Sequence, residues 1–189
     1  MSGAQFLVGD LHFGHAKVAE LRGYSSTDAH DLALVKQWRK QVREGDTVYV
    51  LGDLSSGSRT GEKYALTILA SLPGRKRLIA GNHDSVASIH RNLSPHIPLF
   101  NEVFERIGDF GRIRYEGREV LLSHYPYGDE DHTDEARYTQ YRLRDEGRLL
   151  IHAHTHSTER FNGRQACVSW EAWNRLVNMG DLKEWVVSE

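Results

Sequence analysis

Five short apolar runs in this chain each end at residues able to bind a metal ion. Phe6-Leu7-Val8-Gly9 runs into Asp10-Leu11-His12, Val48-Tyr49-Val50-Leu51-Gly52 into Asp53, and Leu78-Ile79-Ala80-Gly81 into Asn82-His83-Asp84. Val120-Leu121-Leu122-Ser123 stops at His124, and Leu149-Leu150-Ile151 at His152-Ala153-His154-Thr155-His156. Each run has the length and bulk of a buried strand. The repetition predicts strands of one sheet that deliver polar side chains to a common edge, where layered α/β folds place ligand sites.

Helices are expected between these strands. Ala16 to Leu21 and Asp28 to Val42 read as helical; in the second, Leu32, Val35, Trp38 and Val42 form one apolar face, and Thr27 or Asp28 can cap its start. Tyr64, Ile68 and Leu72 line a third helix that Pro73-Gly74 ends. The order β-α-α-β-α-β implies an α/β layered fold. From Val103 to Leu122, short β-like runs broken by Gly108, Gly111 and Gly117 predict added antiparallel strands, with Glu116-Gly117 as a hairpin turn. Gly128 to Asp134 reads as an acidic surface loop, Glu135 to Glu146 as a short helix, Arg164 to Ser169 as a last strand, and Asp181 to Val187 as a terminal helix or turn. With no repeat or linker, residues 1–189 read as one domain.

Composition narrows the chemistry. With 39% hydrophobic and 26% charged residues the chain is an ordinary globular one. Its net charge of −2 argues against broad binding of polymeric nucleic acid. The single cysteine, Cys167, excludes an internal disulfide and a thiolate zinc site. The start lacks a signal-peptide pattern and no segment is apolar enough to span a membrane, so a cytosolic protein with no membrane partner is expected. Histidine is the surplus residue, with 11 copies, most of them in or beside the strand-end junctions.

Carboxylate, imidazole and amide donors without sulfur favour a hard or borderline divalent ion, manganese foremost, with iron, zinc, cobalt or nickel as alternatives. Asp10 and His12 are two apart, as are His154 and His156, so on regular strands each pair would point one way. Asp53 is the natural carboxylate to bridge two ions. Ions roughly 3.5–4 Å apart can activate a water and stabilise attacking and leaving oxygens of a phosphoryl group.

The order Asp10-X-His12, Gly52-Asp53, Gly81-Asn82-His83-Asp84, His124 and His154-X-His156 resembles the calcineurin-like metallophosphoesterase family. The resemblance implies an α/β/β/α sandwich of mixed sheets. It implies two divalent ions, one held by Asp10, His12, Asp53 and His156, the other by Asp53, Asn82, His124 and His154. It puts His83 beside the scissile phosphate, stabilising charge or protonating the leaving group. Two departures matter. Ala153 stands where many relatives carry glycine, a small change that should keep the turn. The second motif reads Gly52-Asp53-Leu54-Ser55-Ser56-Gly57, without the further Asp and Arg of the protein Ser/Thr phosphatases. That argues against a protein phosphatase and leaves open what orients His83. Asp10 to His15, the Trp38 helix and Val168 to Asn174 are similar to compact bacterial and bacteriophage members, several of which cleave phosphodiesters, including 2′,3′-cyclic nucleotides.

Each residue also has a plainer role to fill. Asp and Asn at strand ends favour turns, but seven such residues in this order outweigh that reading. Asp84 reads as a helix N-cap or a partner of the ligands, since Ser85 to His90 could begin a helix. His15 fits either a helix start or a partner of the site, and His152 should point away from the metals. His30, His90, His96 and His132 read as ordinary surface or turn histidines. Arg137, Arg142 and Arg144 are candidate phosphate contacts, and Tyr125, Tyr127, Tyr138 and Tyr141 candidate base platforms; a solvated helix face with an aromatic core side is the preferred reading. Trp170 and Trp173 read as packing residues.

The expected function is hydrolysis of a phosphodiester in a small nucleotide. A phosphomonoesterase or nucleotide pyrophosphatase with the same metals is the alternative, and a non-catalytic binding scaffold the contrasting class. Natural substrate, oligomeric state and whether residues 128–146 close over the site are not specified by sequence.

Overall fold

The structure, a computed structural model, describes residues 3–131 and 133–188, so His132 lies outside the described residues. Two five-stranded mixed sheets face each other. The first runs β10 (Val177–Asn178), β1 (Gln5–Val8), β2 (Thr47–Val50), β3 (Arg75–Ile79), β4 (Phe104–Gly108), with β10 antiparallel to β1 and the others parallel. The second runs β5 (Phe110–Tyr115), β6 (Arg118–Ser123), β7 (Leu149–His152), β9 (Gln165–Cys167), β8 (Phe161–Asn162), parallel at its centre and antiparallel at both edges.

Strand alternation builds two cores. Leu7, Tyr49, Leu51 and Ile79 of the first sheet meet Val120, Leu122, Leu149 and Ile151 of the second. Trp173, in α5 (Trp170–Trp173), and Trp185 and Val186, in α6 (Lys183–Ser188), join this inter-sheet core. Phe6, Val8, Val48, Val50 and Leu78 point the other way, against Leu34, Trp38, Leu66 and Leu69 of α2 (Thr27–Gln41) and α3 (Arg59–Ala70). Strands buried on both faces explain the near-continuous apolar runs. The architecture is the layered α/β/β/α class. No helix among the described residues is long and apolar enough to cross a membrane.

The five predicted strands form, but on two sheets rather than one. The chain leaves β4 at Gly108 and starts β5 at Phe110, and β5 pairs antiparallel with β6 across the Glu116-Gly117 turn. Both turn residues have positive φ, 47° and 78°, the geometry that closes a tight hairpin. This hairpin seeds the second sheet, whereas β4 pairs parallel with β3 instead of extending an antiparallel set.

Four helical expectations shift. On α2 the buried stripe is His30, Asp31, Leu34 and Trp38, and Leu32 is exposed. Asp31 is buried because its carboxylate accepts from Gly14 N and holds the His30 ring, and Ser26 rather than Thr27 or Asp28 caps the helix. On α3 the buried face is Glu62, Ala65, Leu66 and Leu69, because Glu62 is drawn in to accept from both Ser85 N and Ser85 Oγ; Tyr64 is exposed. Ser85 to His90 forms turns, not a helix. Within 135–146 only Thr139–Tyr141 is helical, a single 3₁₀ turn. Arg142 is the reason: its guanidinium takes the carbonyls of Gly128, Glu130 and Arg137, an irregular wrap that an α-helix would forbid.

Candidate metal centre

Five strands, three from one sheet and two from the other, end at the site. Backbone bonds continue past the strands: Asp10 N to Gly52 O, His12 N to Asp53 O, Phe13 N to Leu54 O, and Ala153 N to His124 O. The pairs Asp10/His12 and His154/His156 are not on regular strands, contrary to the spacing argument. All four residues have positive φ, 54°, 49°, 71° and 51°, as does Asp53 at 56°. Leu11, Phe13 and Leu54 are drawn into the helix-side core, and the intervening backbone turns left-handed to present the polar side chains. Such conformations cost non-glycine residues on the order of 1–3 kcal/mol each and gather where function requires them.

The donors form two groups. Ligand atoms of Asp10, His12 and His156 lie within 4.8 Å of one another, as do those of Asp53, His124 and His154. His12 Nε2 and His156 Nε2 are 3.3 Å apart. Asn82 Oδ1 is 3.3 Å from His124 Nε2 and so borders the second group. Asp53 stands between them. Its Oδ1 accepts from His83 N at 2.9 Å. Its Oδ2 faces three imidazoles, at 3.9 Å from His12 Nε2, 3.6 Å from His124 Nε2 and 3.9 Å from His83 Nε2. Burial, moderated by His124 and reinforced by Asp10, holds the Asp53 carboxyl up at about 6. Convergent imidazole nitrogens and carboxylates, buried together, fit divalent cations, whose charge would keep the carboxylates ionised.

The far side of each imidazole is anchored. His12 Nδ1 meets Ser55 O at 3.1 Å, and His124 Nδ1 meets Leu51 O at 2.7 Å. His156 Nδ1 bonds Glu171 Oε1 at 2.8 Å, and His154 Nε2 bonds Asp131 Oδ2 at 3.1 Å. Partners of this kind orient a ligand ring and raise its basicity. Burial disfavours the charged His156 ring, but Asp10 and Glu171 outweigh it and lift the pKa to about 9. Burial would raise Glu171 too; the His156 bond and Arg22 bring it down to about 2.

Arg22 ties this network to the first loop. It donates to Asp10 O at 2.6 Å, to Leu11 O at 3.3 Å and to Glu171, and contacts His30 Nε2 at 2.8 Å. His30 is therefore not a surface residue: it is fully buried, clamped between Arg22 and Asp31. Asp84 makes no ligand contact and instead accepts from Asp53 N, Leu54 N and Gly81 N. Burial and the Asp53 charge push its carboxyl up while the Gly81 and Leu54 N–H groups oppose them. Glycine is required beside it. A Cβ on Gly81 would meet Asp53 Oδ1 at 2.3 Å, and one on Gly52 would meet Gly81 N at 2.5 Å.

His83 stands at the surface of the site, its side chain 39% exposed. Burial lowers its pKa, whereas the Asp84 charge and the Ser56 backbone carbonyl favour the protonated ring. Gly57 packs against its Nδ1, where a Cβ would sit at 3.2 Å. The Ser56 carbonyl and Gly57 thus border the His83 ring on its Nδ1 side. His15 caps α1 (Ala16–Leu21) through Val18 N, and its ring lies 5.4 Å from that of His12. His152 is buried against Ala153 O and lies outside both donor groups, and burial holds its pKa down at about 4. His90 is exposed, its Nε2 on Asn82 O, and His96 is half-buried near Glu62.

Of the later arginines, Arg142 and Arg137 bind Asp131 at 2.9 and 3.1 Å, and Arg142 is buried rather than on a solvated face. Tyr125 and Tyr127 are buried, as are Trp170 and Trp173, whose packing role holds. Sequence reasoning missed Arg22, Asp131 and the role of Glu171. Glu171 sits in the Ser169-Trp170-Glu171-Ala172-Trp173 pattern and was findable there; the other two carry no local signal.

Two mixed sheets joined at a buried Asp/His/Asn cluster define a layered metal-site hydrolase. The chain belongs to the calcineurin-like phosphoesterase superfamily, whose domain model matches residues 7–188. It is similar to the gene 66 proteins of Mycobacterium phage L5, 42% identical with 94% of this chain and 91% of that one covered, and of phage D29, 45% identical with 94% and 92% covered. Among solved structures, an Aquifex aeolicus protein of unknown function is 26% identical, with a TM-score of 0.72 over 97% of this chain and 99% of that one. The family is metal-dependent and hydrolytic, in accord with the two donor groups.

Proposed function

We propose that the protein is a dinuclear phosphodiesterase acting on small nucleotides, 2′,3′-cyclic ones included. Asp10, His12, Asp53 and His156 would hold one ion and Asp53, Asn82, His124 and His154 the other, with manganese the favoured metal. When bound, such ions neutralise phosphate charge and lower the pKa of water so that hydroxide is available near neutral pH. The protein's own residues do the rest. Asp53 turns one oxygen toward both groups while the other is fixed by the backbone of His83. His83 carries the proton for the leaving oxygen, or a hydrogen bond to it, from an Nε2 at the open face of the site.

The observation that favours a diester is that His83 lies between two clefts. One, of about 600 Å³, also takes in His12, Asp53 and His156; the other, of about 350 Å³, is lined by Ser56, Asn82, Ser85, His90 and His96. A diester has two substituents to place and a monoester one. The test is hydrolysis of a bis-aryl phosphate, an aryl monophosphate and a pyrophosphate at equal loading with manganese, cobalt, nickel or zinc. The diester should turn over fastest. No turnover of any substrate by protein shown to hold two ions would end the enzyme reading, and preference for the monoester would move the assignment to a phosphomonoesterase.

A further inference from the structure

The larger cleft is bigger than a phosphate needs. Only part of its lining, His12, Asp53, His83 and His156, belongs to the metal centre. The remainder comes from α1 and its flanking His15 and Arg22, from Glu171 of α5, and from the loops carrying Thr158 and Asn174. Volumes of a few hundred Å³ with apolar walls and a few polar groups are those of sites for small organic ligands.

The wall made by α1 is held in register with the donor loop. His15 caps the helix, and Arg22, just past its end, is bonded to Asp10 O and Leu11 O. On this wall Val18 is buried and Leu21 is 73% exposed, an aliphatic surface open to the cleft. Leu32 is as exposed, at 68%, but lines no such cavity.

The cations of the cleft are already engaged. Lys17 Nζ is 2.9 Å from Glu20 Oε2, and Arg22 is committed to Glu171 and the backbone. Lys17 thus presents its alkyl stem. Glu20 and Glu171 offset these two cations, so the cleft wall carries no surplus positive charge for a second phosphate, which disfavours a pyrophosphate tail or a nucleic-acid backbone. A flat group with apolar faces and a hydrogen-bonding edge suits the cleft: Val18, Leu21 and the His15 ring offer faces, and Thr158 and Asn174 offer polar atoms at the rim.

We infer that this cleft is a nucleoside subsite, in which the base lies on Leu21, Val18 and His15 while the phosphate it carries reaches Asp53 and His83. The inference rests on the phosphoesterase reading above and names its substrate side. Val18 and Leu21 are then specificity-determining residues for the reaction.

Calorimetric titration of the metal-loaded protein with inorganic phosphate, ribose 5-phosphate and adenosine monophosphate tests it. Adenosine monophosphate should bind about tenfold or more tighter than ribose 5-phosphate, the scale of one base stacked on a side chain. Leu21→Asn should reduce that advantage at least about fivefold and leave inorganic phosphate within about twofold, as expected for an exposed side chain that contacts only the base. Leu32→Asn should change nothing. Equal binding of the two sugar phosphates by the unaltered protein, with inorganic phosphate still bound, would overturn the subsite and leave the metal-centre reading standing. Failure of inorganic phosphate to bind protein that holds two ions would remove the phosphoesterase reading and this inference with it.

Discussion

At the residue scale, the site is built from side chains in unfavourable backbone conformations. Among the described residues, five of the eight non-glycine residues with positive φ are Asp10, His12, Asp53, His154 and His156. Asp or His at such positions is tolerable in a turn, but the clustering shows a fold spending stability on convergence. Asp53→Ala is expected to lose both ions, because its carboxylate faces both donor groups; metal analysis finding two retained ions would refute the bridge. His83→Ala should keep both ions yet slow a poor leaving group by about 10²–10⁴-fold, the usual yield of general acid catalysis; near-normal rates would remove the acid role. Asp131→Asn should weaken metal binding about 10–100-fold through His154, read by titration with a competing chelator. The seven residues read from the sequence as candidate donors come together in the fold. Their anchors were harder to read: Glu171 lies in a recognisable segment, but its pairing with His156, 15 residues away, and that of Asp131 with His154, 23 residues away, follow from no local pattern.

At the element scale, strands were easier to read than helix faces. A doubly buried strand is apolar at every position, so its existence is clear without knowing its neighbours. A helix face is decided by what it packs against, and here polar contacts turned two helices: Asp31 went inward for Gly14, and Glu62 for Ser85. The 135–146 segment failed for the same kind of reason, since Asp131 and several carbonyls captured Arg142. β7 carries its own titratable group. His152 is buried with its pKa held at about 4, below the ordinary 6.5. The unfolded chain therefore takes up its proton first, and stability from this residue is present above pH about 6.5 and is lost as pH falls toward about 4. The loss is bounded at about 3 kcal/mol. Urea midpoints measured from pH 7 to 4 should fall more steeply for the native protein than for His152→Gln; parallel profiles would show that the histidine does not titrate as stated.

At the scale of the whole molecule, the site exists only where the two sheets touch. Gly9 ends β1 and bonds Val168 O, just past β9, while a Cβ at Gly9 would sit 2.3 Å from the Ala153 Cβ. Ala153 is the residue that departs from the family's glycine, and the absent side chain at Gly9 makes room for it. Gly9→Ala should therefore cost about 1–3 kcal/mol by overpacking and weaken metal binding. Adding Ala153→Gly should restore much of both, a coupling that a thermal-unfolding double-mutant cycle measures. Additive losses would mean the two positions do not share that space.

The sequence by itself determined the five central strands, their order along the chain and the candidate donor types, though not the short edge strands β8 and β10, because burial writes apolar runs and metal chemistry admits few side chains. The family motifs already implied two sheets; tertiary structure alone decided which strand joins which sheet and in what register. It also decided that the donors leave extended geometry and that Arg22, Glu171 and Asp131 brace them. The reason is physical: apolar periodicity reports local burial, whereas the partner of a buried charge is chosen by proximity in space, across separations that no local pattern records.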